Sequence, residues 1–256
     1  MELPLFPLNS VLCPGIALPL HVFEDRYRAL VRHCIETTSP FGVVLIKRGR
    51  EVGAGAISFS GIGTIAEIRD AGAFEDGRYD LLVVGTRRFE IRQVLSTRRP
   101  YLVADVEILD ETIGDEDVAG SLSMQATRKF VSYLELLQPR AGETADEIDV
   151  RVEVEAADDE DDADEADDGT PDEAADDEPR PRRRKVTIPD DPTVLSYLLS
   201  GILQVEAPRR QALLETPTTE ARLRALLGLI DREVFLLRRR LRFFNADPRM
   251  VGARRS

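Results

Sequence analysis

Between Glu2 and Glu24 the chain carries no lysine, arginine or carboxylate, yet Pro4, Pro7, Pro14 and Pro19 interrupt its apolar residues every few positions. Proline lacks a backbone donor and is poorly tolerated inside helices, so this run is not a membrane helix. A secretory leader would need basic residues ahead of its apolar core, and only Met1 and Glu2 stand there. The pattern predicts buried strands at Leu3–Phe6 and Ile16–Leu20, separated by proline turns. From about Phe23 to Thr37 the period changes. Phe23, Tyr27, Leu30, Val31 and Cys34 fall on one face of a helix that Ser39-Pro40 ends. Phe41–Ile46 is a fully apolar run of strand length, and Ile62, Thr64, Ala66 and Ile68 share one parity within a glycine-rich stretch. Ala71–Gly77 reads as a loop. Tyr79–Val84 and Phe89–Val94 read as two strands joined at Gly85-Thr86-Arg87-Arg88, and a further strand follows Pro100. Turn signals at this spacing predict a closed or nearly closed β-barrel over Met1 to about Asp110.

After Asp115 the period becomes helical. Val118, Leu122, Ala126, Phe130, Leu134 and Leu137 form one stripe, closed by Gln138-Pro139-Arg140. Asp191-Pro192 is a helix start signal, with Val194, Leu195, Leu198, Leu199 and Ile202 as its expected core face. A short helix carries Ala212, Leu213 and Leu214. Thr216, Thr218 or Thr219 caps a last helix bearing Leu223, Leu226, Leu227, Ile230, Val234, Leu237, Leu241 and Phe244. The expected class is α+β: a barrel with one early helix over 1–112, then a small helical bundle. The bundle's first helix occupies 115–139 and its remainder 189–247, with a basic tail over 248–256.

Charge accounts for the interruption at 140–188. The net charge is −13, but Glu143–Glu178 holds 20 carboxylates against Arg151 alone, so everything else is mildly basic. Such a stretch cannot bury enough apolar surface to offset its chain entropy, and it is expected to be disordered. Five basic residues in Pro179–Lys185 reverse the sign. The two cysteines, Cys13 and Cys34, make no disulfide framework and read as buried thiols. With no leader, membrane span or cysteine scaffold expected, the expected compartment is the cytoplasm.

Catalytic patterns are missing from the sequence. The only lysines, Lys47, Lys129 and Lys185, lie in no phosphate-binding loop, and no serine is placed beside any of them. Gly61-Ile62-Gly63-Thr64-Ile65-Ala66 fits a loose dinucleotide pattern but continues as a strand, so no helix N-terminus meets a pyrophosphate. His21 and His33 have no partners at metal-ligand spacing. Neither cofactor nor metal is expected. The arginines from Arg238 to Arg255 read either as a nucleic-acid contact or as a solvated helix end with favourable charge. The nearby acidic stretch would compete with phosphate, which disfavours nucleic acid.

Several ordered segments resemble the N-terminal, substrate-recognition domain of Lon-type ATP-dependent proteases. They are the proline-punctuated opening, Phe23-Glu24-Asp25-Arg26-Tyr27-Arg28, Phe41–Ile46, Gly63–Ile68, Gly85–Phe89 (as that family's hairpin), Pro100-Tyr101-Leu102, Leu195–Leu199 and Gln211–Glu215. The resemblance implies a PUA-like β-barrel followed by a helical bundle. It also implies a non-catalytic module that recognises exposed or unfolded polypeptide, for delivery to a protease or chaperone. Lon proteases continue into ATPase and serine–lysine peptidase modules, which this sequence is not expected to supply. Phe6, Leu12, Pro14, Phe23, Arg26 and Tyr27 are the candidate polypeptide contacts, although Phe6, Leu12 and Phe23 read equally as core. Two alternatives are a nucleic-acid-binding PUA-like protein and a peptidase-associated hydrolase.

Overall fold

Five strands close on themselves. β1 (Glu2–Leu8) pairs antiparallel with β7 (Leu102–Ile108) and parallel with β3 (Phe41–Arg48). β5 (Ile62–Ala73) links β3 to β6 (Tyr79–Leu95), and β6 returns to β7, all antiparallel. β2 (Ala17–Val22) adds to the first half of β6, and β4 (Ser58–Phe59) to the end of β3. Parallel β1 and β3 need a crossover, and α1 (Asp25–Thr37) lies on it. The computed structural model describes residues 1–48, 58–137, 151–154 and 185–244.

Side-chain alternation sends each strand into two cores. Leu3, Leu5, Val44, Ile65, Ala104 and Val106 surround Phe89. A Cβ on Gly42 or Gly63 would stand 2.6 or 2.7 Å from the Phe89 ring, so these glycines make room for it. The opposite parity, including Phe6, Phe41, Val43, Leu81, Val83 and Val103, packs under Tyr27, Leu30, Val31 and Cys34 of α1. Fully burying a Leu or Val side chain contributes roughly 1.5–3 kcal/mol, which suffices to seat this helix. Its start differs from expectation. α1 begins at Asp25, and Phe23, assigned to its apolar face, lies outside the helix.

The expected turn at Gly85–Arg88 is instead the middle of β6, a single 17-residue strand. Gly85 N–H bonds to Ile16 O at 3.0 Å and Gly85 O accepts from Gly15 N–H at 2.8 Å. A Cβ there would lie 2.4 Å from Cys13 O, so the glycine permits close approach rather than reversal. β6 changes partner here, from β2 to β7, while β5 accompanies both halves.

The helical half comprises α2 (Glu116–Leu137), α3 (Pro192–Ile202), α4 (Ala207–Glu215) and α5 (Thr219–Phe244). Asp191 caps α3, accepting from Thr193 and Val194 N–H at 2.7 and 2.9 Å. Thr218 caps α5 through Ala221 N–H at 3.1 Å, which settles the choice among the threonines. On α2 the expected stripe packs on the core through Leu122, Ala126, Phe130, Leu134 and Leu137, and Ala119, Ser123 and Tyr133 widen the buried face. On α3, Val194 is exposed and Tyr197 is buried, because this helix also meets the barrel. Ala212 of α4 is likewise exposed, while Gln211 is buried and donates to Ile62 O at 3.0 Å. Within 140–188, expected to lack structure, β8 (Arg151–Val154) and β9 (Lys185–Ile188) pair in parallel. Ile188 enters the bundle core. The rest of that acidic stretch, the 248–256 tail and Gln138-Pro139-Arg140 lie outside the described residues.

Barrel and bundle meet around buried charge. Arg88 and Arg222 are 2% and 0% exposed, and both address Glu111. Arg88 donates to Glu111 Oε1 at 2.8 Å and to Leu214 O and Thr216 O at 2.9 and 2.8 Å. Arg222 donates to Ser196 Oγ at 2.8 Å and reaches Glu111 Oε2 at 3.4 Å. Its guanidinium lies 3.8 Å from the centre of the Tyr197 ring, whose hydroxyl donates to Glu111 Oε1 at 2.7 Å. Burial lowers the Arg222 pKa and raises that of Tyr197. Beside them, Cys13 packs with Val11, Leu45, Tyr197 and Leu214.

Replacing Glu111 with Ala leaves two buried guanidinium groups without their counter-charge. The expected loss is about 3 kcal/mol, read as a lower urea midpoint. Burial pushes the Cys13 thiol from 9.0 up to about 11, so its folded-state proton is held more tightly than in the unfolded chain. The corresponding stability is complete below the unfolded value and is lost as pH rises through 9 toward about 11. Urea unfolding of the native protein and Cys13→Ala across this window checks the slope, which the substitution should reduce.

Candidate functional site

The first half of β6 lies between β2 and β5, forming a three-stranded sheet with one face toward α1 and one toward solvent. On β2, Leu18, Leu20 and Val22 pack inward, while Ala17, Pro19 and His21 are exposed. Register sets Pro19 opposite Leu82 and His21 opposite Asp80. His21 Nδ1 and Asp80 Oδ1 are 2.6 Å apart. The β5–β6 turn is held from below, since Arg28 Nε donates to Gly77 O at 2.6 Å and Nη2 to Asp76 O at 3.0 Å. Gly77 has φ +80°, a conformation that favours glycine. This turn brings Phe74 against His21, with ring centres 6.3 Å apart, while Phe23 stands 6.2 Å from His21 on its other flank.

A surface therefore runs from Leu82 and Pro19 to His21, Phe23 and Phe74. Phe23, Phe74 and Leu82 are 49%, 45% and 42% exposed, although the strands below them are well packed. Arg78 lies over Phe74 at 5.5 Å and supplies the charged rim. Leu82 on the sheet and Phe23 and Phe74 on its flanking turns thus form a grouped apolar patch, the candidate contact surface.

The six sequence-derived contacts do not form one surface. Phe6, Leu12, Pro14 and Tyr27 are buried, with Phe6 stacked on Tyr27 at 4.2 Å, so they are core and present no contact face. Arg26 is half-buried, donates to Glu24 at 3.1 Å and covers the Tyr27 ring at 4.4 Å. Phe23 alone among them belongs to the exposed cluster. Phe74 and Leu82 were missed because one sat in an expected loop and the other in an unbroken apolar run. In that run only strand parity separates Leu82 from buried Leu81 and Val83.

Among the other candidate reactive residues, Lys129 and His33 have structural partners. Lys129 of α2 binds both oxygens of Asp231 on α5 at 2.6 Å, and Lys47 is exposed. His33 stacks on Tyr101 at 6.3 Å and lies 3.2 Å from Arg99 Nη1. Among the described residues no three His, Cys, Asp or Glu side chains cluster as metal ligands. None of the described helices is long and apolar enough to cross a membrane.

The sequence model of the ATP-dependent protease La (LON) substrate-binding domain matches residues 2–232. Lon protease 2 of Myxococcus xanthus is 26% identical over 92% of this chain, which spans 24% of that relative. Lon protease of Anaeromyxobacter dehalogenans is 30% identical over 53% of this chain, which spans 16% of it. The chain thus spans a quarter or less of these relatives' length. Among solved structures, the Lon N-terminal domain protein of Xanthomonas campestris superposes with a TM-score of 0.53 at 24% identity, over 89% of this chain and 98% of that one. The N-terminal domain of the Mycobacterium avium complex Lon protease gives 0.57 at 17% identity, over 90% and 98%. At these identities the structural likeness is one of fold. With the closed barrel, the helical half and a family match over nearly the whole length, the chain belongs to the LON substrate-binding domain family.

Proposed function

We propose that this protein binds exposed apolar or unfolded polypeptide segments in the cytoplasm through the Leu82–Phe23–Phe74 surface, has no catalytic step of its own, and passes clients to a protease or chaperone. The observation that carries this reading is the cluster of large apolar side chains exposed on a well-packed sheet. Family membership supports it, since the matched portion is named for substrate binding. The chemistry of the surface supports it too. Apolar contact is non-directional and tolerates many sequences, as a reader of unfolded chains requires. The aromatic rings add contact area at small entropy cost, and Arg78 and Asp80 set polar limits around them.

The triple substitution Phe23→Ser, Phe74→Ser and Leu82→Ser removes the apolar surface without touching either core. Each half-exposed side chain is worth about 1 kcal/mol on burial, so binding of a denatured, carboxymethylated model protein should weaken at least about tenfold by fluorescence anisotropy. Thermal unfolding should stay unchanged. Equal affinity of the triple variant and the native protein would refute the assignment of this surface.

A further inference from the structure

β5 loses one of its neighbours partway along. Phe41, Gly42 and Val43 of β3 pair with Ala66, Ile65 and Thr64, and the ladder stops there. Upstream of Phe41 the chain leaves the sheet. Thr38 ends α1 in the left-handed conformation, with φ 49°, and Ser39 N–H bonds back to Cys34 O at 3.0 Å. β5 continues through Glu67–Ala73 with β6 on one side and, among the described residues, no strand on the other. A groove of about 550 Å³ occupies the vacated lane, lined by Ile35, Thr38 and Pro40 on one wall and Glu67, Ile68 and Asp70 on the other.

The backbone along this groove faces outward. Phe74 N–H bonds across the turn to Arg78 O at 2.9 Å. By strand alternation Gly72 also faces β6, while Ala71 and Ala73 face away. The Ala71 N–H meets the carboxylate of its own neighbour, Asp70 Oδ1, at 2.9 Å. That carboxylate occupies the place a partner strand's carbonyl would take. Glu67 pairs with Arg69 at 3.2 Å, whereas Asp70 makes no ion pair among the described residues. The β2 edge offers less, because Pro19 has no N–H to give a partner strand.

We infer that an extended client segment, apolar at alternate positions and carrying a lysine or arginine between them, adds to β5 as a strand along Glu67–Ala73. Its carbonyl replaces the Asp70 carboxylate on Ala71 N–H. Its apolar side chains lie between Ile35 and Ile68, and its cation meets the released Asp70. Free backbone groups select an extended chain over a helix, and the unpaired carboxylate selects a basic one. This deepens, and rests on, the polypeptide-binding reading above. The same β5–β6 hairpin carries Phe74 and Leu82, so a strand added here lies beside that apolar surface. Two copies of this chain paired along the edge would bring their Asp70 carboxylates into one interface, which disfavours self-association.

The test is amide hydrogen exchange and binding with the full chain and two nine-residue peptides, alternately apolar, with either lysine or glutamate at the centre. The lysine peptide should slow exchange at Ala71 and Ala73 and bind more tightly. Asp70→Lys should weaken it about fivefold and reverse the preference toward the glutamate peptide. Ala71→Pro should weaken both about fivefold, with β6 amides still protected. Should that proline variant fail to fold, the Asp70→Lys reversal decides alone. Retained binding of denatured protein, with Ala71 exchange and peptide preference unchanged by Asp70→Lys, would overturn the strand-addition inference and leave the apolar-surface reading standing. Loss of all polypeptide binding by the native chain would remove both. Protection of Ala71 that grows with protein concentration in the absence of peptide would assign the edge to a second copy instead.

Discussion

Glu111 sits between two arginines that have no other counter-charge among the described residues. Arg88 comes from the middle of the longest strand and Arg222 from the first turn of the longest helix, so one carboxylate ties the barrel to the bundle. Both guanidinium groups are held out of water at the interface, and without Glu111 their burial would be uncompensated. Carbonyls of Leu214 and Thr216, the Ser196 hydroxyl and the Tyr197 ring satisfy most of what remains. Well-packed apolar residues could join two such halves with equal stability. Directional partners instead fix the orientation of α3 and α5 against the strands.

That orientation also governs the far end of β6. The strand is continuous through Gly85, so its anchored half and its projecting half belong to one element. The closed ring uses β5 up to about Ala66 and β6 from about Gly85; their surplus lengths form the hairpin that carries Leu82 and Phe74. β2 and Arg28 brace this hairpin from one edge and from the turn. The groove beside β5 is the lane left open where β3 departs into α1. Apolar surface and free edge therefore share one cause: strands longer than the ring requires.

Much of this architecture is legible in the residues. Proline spacing excludes a helical opening, period-2 runs mark the barrel, and period-3.6 stripes mark α2 and α5. Asp191-Pro192 marks the start of α3. The errors have physical origins. Gly85 reads as a turn residue, but its role is close approach to Cys13, a contact invisible along the sequence. Val194 reads as core because a single apolar face is assumed for a helix that meets two neighbours. The carboxylate-rich composition of 140–188 masks the short alternating runs of β8 and β9. Phe6 and Tyr27 read as candidate contacts alongside Phe23, but the core takes up both.

By itself the sequence determined the class, the family and most of the elements in their order, because periodicity and local turn chemistry act over a few residues and survive without knowledge of partners. Only the tertiary structure decided which apolar residues are surplus to the core. Leu81, Leu82 and Val83 are chemically interchangeable, and the pleat alone exposes the middle one. It also decided that Arg88 and Arg222 are internal, since long-range pairing with Glu111 offsets a desolvation cost that no local pattern records. The edge of β5 left without a strand among the described residues is likewise a fact about where β3 begins, fixed by packing between segments distant in sequence.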